Sequence, residues 1–411
     1  METNGTGRPP AWLLATWVVT RAVLLLFVFG VFVFPGPDVT SDVSVIYQGW
    51  YEVLRHGTFP LDDVTWQYPP AAALAVLSPA ALPFLSYPHA FFVLACLADA
   101  VVLALLLAAG RRPGRSAHGA LVWVVAVPLL GPTVYARYDV MVTAVAVAAL
   151  LAGARRPRLL GALAAFGALL KVWPALLLAG AGRRAWRSAA VTGSVVAALF
   201  AVSMPGALAF LTFQRDRGTE VESLGGLVFH VARHFGWPGQ VLLNYGSVEF
   251  VGPGVATVSA GALVLTGIAF AWLVRWRLRA TRTGPHSLAD AALTAVLLFT
   301  VTSRVISPQY LVWLIGLAAV CMTHRASRMG VPALLVAAAS FVTVLEFPLG
   351  FLHVVLSDGY GLTLLAVRNG LLVTAALLAA RTLRRSTVPP LPPLPSVPDQ
   401  ATRTRHTSVP S

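Results

Sequence analysis

The sequence predicts an all-α polytopic membrane protein, and three observations carry that prediction. Of the 411 residues 57% are hydrophobic and only 11% are charged, with a mean hydropathy of +0.76, a combination rare among water-soluble globular domains. Apolar runs recur at 11–34, 89–109, 188–204, 254–274 and 361–380, several close to the roughly 20 residues a helix needs to cross a bilayer. Arginines gather in short clusters between apolar runs and most acidic residues fall in the complementary segments. That is the asymmetry of loops alternating between two sides of a membrane.

The formal net charge of +14 therefore reports topology, not nucleic acid, because the arginines line no single polar face. Cys96 and Cys321 lie inside apolar runs without metal-ligand spacing, which argues against a disulfide framework or a zinc site. The first run is longer than a signal-peptide core, carries Arg21 and lacks a convincing cleavage site, so it reads as a retained span.

Six basic clusters begin at Arg111, Arg155, Arg183, Arg275, Arg325 and Arg381, and the positive-inside rule assigns them to the cytoplasm. The run 11–34 then leads outward, 35–88 is external, and 89–109 returns to the Arg111 cluster. For this parity, 71–86 must be an interfacial or re-entrant segment, as its length, Pro79 and Pro83 permit. The pair 119–133 and 139–153 crosses out and back through "GPTVYARYD". Residues 159–182 have arginines at both ends and the break "LLKVWPALLL" between them, which suits a broken hairpin returning to its own side. Next come 188–204 outward, an external loop to about 252, and crossings at 254–274, 286–302, 309–322, 330–346 and 361–380. The count is about 10–12 membrane helices, short re-entrant ones included. Residues 1–10 form a cytoplasmic N-terminus, 11–385 the membrane domain, and 386–411 a Pro-rich disordered cytoplasmic tail.

Cations outside the cytoplasmic clusters are informative, since one at bilayer depth costs roughly 2.5–3.5 kcal/mol or more and implies a partner or a cavity. They include Arg21, Arg137, Lys171 (the only lysine), Arg215, Arg217, Arg304 and Arg368. For Arg21 and Arg368 two readings stand: a structural charge, snorkelling or paired with a buried carboxylate, and a functional cation facing a cavity. The acidic residues Asp38, Asp42, Glu52, Asp62 and Asp63 crowd the first external segment. Asp62 and Asp63 sit beside Pro60 and read as loop acids. Asp42 stands before "VSVIYQGWYEVL", whose apolar spacing is helical, so its carboxylate is expected at the outer membrane boundary, as a helix cap or as a functional acid.

One external carboxylate near several cations suits group transfer from a lipid phosphate: the cations stabilise the leaving phosphate while the carboxylate takes a proton from the attacking hydroxyl. Glycoside hydrolysis would need two carboxylates at a set separation. Asp42 with Tyr47, then "HGTFPLDDVTWQYPP", "ARYD", "LLKVWP", "FQRDRGTEVES" and "SPQYLVWL" together resemble the polyprenol-phosphate-sugar-dependent GT-C glycosyltransferases, specifically glycosyltransferase family 87, over about residues 12–380. The resemblance implies a GT-C fold, Asp42 as general base, and inverting transfer of a hexose, mannose being expected, from a polyprenyl-phosphate sugar without an essential metal or other cofactor. By position it implies Lys171, Arg215, Arg217, Arg137 and Arg304 as donor-phosphate residues. Tyr47, Tyr68, Asp139, Glu220, Gln309 and Tyr310 are expected to shape the site. The expected partners are the lipid-linked donor, a glycolipid or glycan acceptor and membrane lipids, with the site on the exterior of the plasma membrane. A lipid-linked sugar flippase and a non-catalytic assembly factor are the alternatives.

Overall fold

The computed structural model describes residues 10–213 and 218–389. The helices are α1 (Ala11–Val28), α2 (Gln48–Leu54), α3 (Ala72–Leu77), α4 (Tyr87–Gly110), α5 (His118–Ala126), α6 (Asp139–Gly153), α7 (Pro157–Leu170), α8 (Arg183–Ser203) and the short α9 (Phe210–Phe213). They continue as α10 (Gly226–Arg233), α11 (Val255–Arg279), α12 (Ser287–Thr302), α13 (Tyr310–Met322), α14 (Gly330–Val344), α15 (Phe351–Leu356) and α16 (Gly359–Thr387). Among the described residues six helices are long and apolar enough to cross a membrane, and six more are apolar but shorter. The helical multi-pass architecture expected from the apolar runs is therefore present.

Length and burial are related. In α13 every residue from Leu311 to Cys321 is buried, and α12 is nearly as enclosed, whereas α8 and α11 are apolar on faces that the protein leaves open. At 1.5 Å per residue a 13-residue helix reaches only about 20 Å, less than a bilayer core. Such a helix is stable because other helices, not lipid, surround it. The lipid-facing work falls to the longer helices.

The chain turns back where the sequence breaks. Helix α7 ends at Lys171, which is extended, and a 3-10 stretch, Trp173–Gly180, follows. Gly161 of α7 lies against Ala185 at the start of α8 so closely that a Cβ would meet the Ala185 carbonyl, and Ser188 Oγ donates to the Arg158 carbonyl at 2.7 Å. The broken hairpin expected over 159–182 is present, its first helix starting two residues earlier at Pro157. Segment 72–81, with Ala72, Ala73, Ala75, Val76 and Pro79 buried, is a short packed insertion.

The arginine-rich loops share one end of the bundle. Ser116 N donates to Thr323 O at 2.9 Å and Arg282 N to Thr387 O at 3.0 Å, and Arg325 Nε reaches the Arg115 carbonyl at 3.0 Å. Helix α16 runs through Thr387, two residues past the boundary expected for the membrane domain, because Thr387 also accepts from Trp276 Nε1 at 2.9 Å. Residues 1–9 and 390–411 lie outside the described residues.

One feature departs from an all-helical reading. Within 218–254, β1 (Thr219–Glu220), β2 (Gln240–Asn244) and β3 (Ser247–Val251) form an antiparallel sheet of order β1-β3-β2. Its hairpin turn, Tyr245–Gly246, has φ of +48° and +77°, the left-handed geometry of a tight two-residue β-hairpin.

Arg21 and Arg368 are both paired in the interior. Arg21 Nε meets Asp99 Oδ2 at 2.9 Å, and its Nη atoms donate to the Val124 and Trp123 carbonyls. Asp99 accepts further bonds from Trp17, Trp123 and Tyr135. Arg368 lies 3.0 Å from Glu346 and 3.7 Å from Glu222. Pairing with a buried carboxylate, part of the structural reading of these arginines, is what the fold shows.

Candidate active site

At the end opposite the arginine-rich loops, residues 42–54 lie as a short amphipathic segment. It opens with a π-helical turn, Asp42–Tyr47, and passes into α2. Val43, Tyr47, Trp50 and Leu54 are buried, spaced by three or four residues as one helix face requires, and Asp42 starts the turn with its side chain 30% exposed. Its cap reading gains no support, since Asp42 makes no capping bond and Ser41 occupies the cap position. Arg137 Nη2 meets Asp42 Oδ2 at 2.7 Å, and Arg137 Nη1 donates to the carbonyls of Val39 at 3.0 Å and Ala136 at 2.7 Å. Two fixed carbonyls thus aim the guanidinium at the carboxylate.

A second ion pair sits two residues along the same turn. Lys171 Nζ lies 2.7 and 2.9 Å from the two oxygens of Asp139, and Trp313 Nε1 donates to Asp139 Oδ1 at 2.6 Å. Rings of Tyr138, Tyr68, Trp313 and Tyr310 surround the ammonium with centroids at 5.0, 5.3, 5.3 and 5.8 Å, a distance at which cation–π attraction contributes. Asp139 is fully buried, a position tolerable for a carboxylate only with such partners. The extended residue Lys171, between α7 and the 3-10 stretch, lets the side chain leave the hairpin toward α6.

Aromatic rings join the two pairs. Tyr47 stacks on Trp50 at 5.3 Å and lies 5.9 Å from Tyr138. Tyr68 meets Tyr138 edge-on at 5.3 Å and Trp50 at 5.7 Å, and Tyr310 stacks on Trp313 at 4.0 Å. Asp42, Arg137, Tyr47, Tyr68, Asp139, Lys171 and Tyr310, dispersed over 269 positions of sequence, are thereby brought into one constellation. Gln309 heads α13 immediately before Tyr310.

Glu220 and Arg304 form a neighbouring group. Glu220 Oε2 accepts from Ile306 N at 2.6 Å and Oε1 from Ser307 Oγ at 3.0 Å, while Glu220 N donates to Arg304 O at 3.0 Å. Arg304 Nη1 reaches Ser259 Oγ at 3.4 Å. The segment 303–309 links this group to Tyr310 and Trp313. Arg215 and Arg217 lie outside the described residues.

Asp62 is exposed, and Asp63 is a loop acid as its surroundings in sequence suggest. Burial opposes its ionisation, but hydrogen bonds from the Thr65 hydroxyl, Trp50 and the Thr65 amide hold its pKa below the usual carboxylate value. Sequence reasoning did not single out Trp313 and Tyr138. A signal was present for Trp313, which stands three residues after Tyr310 and so on the same helix face. None existed for Tyr138, whose role depends on Lys171 arriving from another helix. No cluster of metal-ligating side chains occurs among the described residues.

Comparison with known proteins adds the lineage. The chain resembles the crystal structure of ArnT from Cupriavidus metallidurans bound to undecaprenyl phosphate, with 17% identity, a TM-score of 0.41, and coverage of 92% of this chain and 79% of that one. No curated protein matches it. The profile of glycosyltransferase family 87 matches residues 66–308, a segment that holds Tyr68, Arg137, Asp139, Lys171, Glu220 and Arg304 but begins after Asp42. With more than half of its length matched, this multi-pass membrane protein belongs to glycosyltransferase family 87.

Proposed function

We propose that the protein transfers a hexose, mannose in the first instance, from a polyprenyl-phosphate sugar to a hydroxyl of a cell-envelope glycolipid or glycan, with inversion and with Asp42 as general base. The observation that carries the reading is the Asp42–Arg137 pair: a partly exposed carboxylate held at one end of the bundle by an arginine anchored on two carbonyls. A base must be fixed yet reachable by the hydroxyl it deprotonates, and Asp42 meets both conditions. Family membership supports glycosyl transfer. The lipid phosphate is supported by the charge chemistry of the site, and ArnT was crystallised with undecaprenyl phosphate.

In this mechanism the acceptor hydroxyl gives its proton to Asp42 as its oxygen attacks the anomeric carbon from the face opposite the phosphate. The bond from that carbon to the phosphate oxygen breaks, and the polyprenyl phosphate leaves with the electron pair. A phosphate leaving group needs no strong general acid, only cations. Arg304 is the described candidate, with Arg215 and Arg217 expected from sequence to join it. Arg137 and Lys171 each already face a carboxylate, so each offers a phosphate the field of an ion pair. The positive-inside rule favours a cytoplasmic arginine-rich end, which supports the reading of Asp42 as facing the exterior.

Purified protein incubated with polyprenyl-phosphate mannose, other polyprenyl-phosphate hexoses and an envelope lipid extract tests the reaction. Donor-dependent appearance of a glycosylated lipid with inverted anomeric configuration is the expected result. Movement of intact donor across vesicles without transfer would replace the reading with a flippase. Cysteine labelling of intact cells tests orientation: residues near Asp42 are expected to label and those near Arg277 to be protected.

A further inference from the structure

Glu220 brackets the segment that carries Arg304. Its amide bonds the Arg304 carbonyl at 3.0 Å, and its carboxylate takes the Ile306 amide at 2.6 Å and the Ser307 hydroxyl at 3.0 Å. Three bonds from one residue thus span four consecutive positions of a non-helical link between α12 and α13. The Ile306 amide is fully buried, and its only acceptor among the described residues is this carboxylate.

Glu220 is itself held on both sides. In β1 it pairs with Glu249 of β3, and the next residue continues the ladder through Val221 N to Val248 O at 3.0 Å. Two residues on, the Glu222 carbonyl accepts from Arg368 Nη2 and from Asn369 Nδ2, both buried on α16. The backbone carrying the carboxylate is therefore fixed to the sheet at one side and to a membrane helix at the other. A segment clamped by such a group adopts one conformation in advance of its ligand, which lowers the entropy lost on binding.

We propose that Glu220 is the positioning residue for Arg304: it acts on the lipid-phosphate donor only by fixing the 303–307 segment in the conformation that presents the guanidinium. The small β-sheet is then the rigid support of the donor-binding cation. The inference rests on the reading of Arg304 as a donor-phosphate residue.

A double-mutant cycle tests it, with undecaprenyl phosphate in detergent micelles as the probe and its dissociation constant as the readout. Arg304→Ala is expected to weaken binding about tenfold, the loss of one charge-assisted contact of ~1.4 kcal/mol. Glu220→Ala is expected to weaken it by a similar factor. The double variant is expected to bind no more than about threefold worse than the weaker single variant, because two residues that act as one unit are not additive. A double variant weakened by the product of the two factors, about a hundredfold, overturns the proposal in favour of a general structural role. So does Glu220→Ala with wild-type affinity. If Glu220→Ala does not accumulate, Ser307→Ala serves in its place: about threefold weaker binding alone and no further loss in the Arg304→Ala background are expected, and unchanged affinity alone overturns the proposal.

Transfer assays on the same preparations judge the functional reading separately. Wild-type protein that binds the probe and shows the coupling but transfers no sugar refutes the transferase and upholds the bracket. Unchanged affinity in Arg304→Ala refutes the bracket and leaves transfer to be judged by its own assay.

Discussion

Replacing Asp42 by Asn separates the chemistry of that side chain from its structural contribution. Asn keeps the shape and one oxygen that accepts from Arg137, but it takes up no proton at neutral pH. The structural loss is small: Asp42 is 30% exposed at its side chain, it pairs with Arg137 at 2.7 Å, and a partly exposed ion pair contributes about 1 kcal/mol or less. Loss of general-base catalysis lowers the rate by about 10²- to 10⁴-fold, equivalent to roughly 2.7–5.4 kcal/mol in activation free energy. The catalytic effect exceeds the structural one several-fold, so Asp42→Asn is expected to accumulate normally, melt within a few degrees of wild type and lose at least about a hundredfold in transfer. The assay compares it with Asp62→Asn at matched protein and saturating lipid donor. Asp62 is exposed, and its variant is expected to retain near-normal activity. Asp42→Asn with activity within threefold of wild type would refute the assignment.

Further outcomes follow from the buried groups. Lys171→Met strips Asp139 of its cation and is expected to cost about 3–5 kcal/mol, whereas the double variant with Asp139→Asn recovers most of the lost melting temperature; a double variant as unstable as Lys171→Met would show that the pair is not what the cage contains. Arg21→Met leaves the carboxylate of Asp99 in the interior with only neutral donors and is expected to lose a similar amount, measured as loss of folded protein in detergent; wild-type melting would mean the charge has another counterpart. In the 218–254 region, His230 accepts from Ser357 through Nδ1 and donates to the Val221 carbonyl through Nε2, a tautomer assigned from these partners. Burial, helped by the charges of Arg233 and His234 and opposed by the bond to Val221, lowers its pKa to about 4. Because the unfolded chain titrates near 6.5, it binds the extra proton between those values, so stability is full above pH 6.5 and falls as pH drops toward 4. Melting temperature measured from pH 7 to 4.5 is expected to decline less in His230→Gln than in wild type; parallel curves would remove His230 from the acid response.

Membrane insertion, the number of apolar helices and the sorting of charge to two ends were legible in the sequence because each depends on local composition. Twenty apolar residues satisfy their backbone only as a helix in lipid, and arginine clusters lie where their solvation is, whatever the rest of the chain does. The break at "LLKVWP" was legible for a similar reason, since a proline directly after an apolar run ends the helix locally. The β-sheet at 219–251 escaped notice because its strands are two to five residues long, too short for an alternating pattern to stand out from the apolar runs around them. Phe250 of the sheet and the adjoining Val221 pack into a small apolar cluster with Phe229, Val255, Val354 and Leu365, burial that only the tertiary structure supplies.

The sequence also offered the residue types expected to carry the chemistry: a carboxylate just after the first apolar run and cations that composition alone does not explain. Their partners came only from the tertiary structure. Arg137 and Lys171 looked alike in sequence as cations awaiting a phosphate, yet α6 delivers Asp139 to one and the 42–47 turn delivers Asp42 to the other. Trp313 and Tyr138 became part of the site only when α6, α7 and α13 converged. A charge at bilayer depth announces itself in sequence by its cost. What compensates that cost comes from another helix 32 to 174 positions away, and no local pattern encodes that distance.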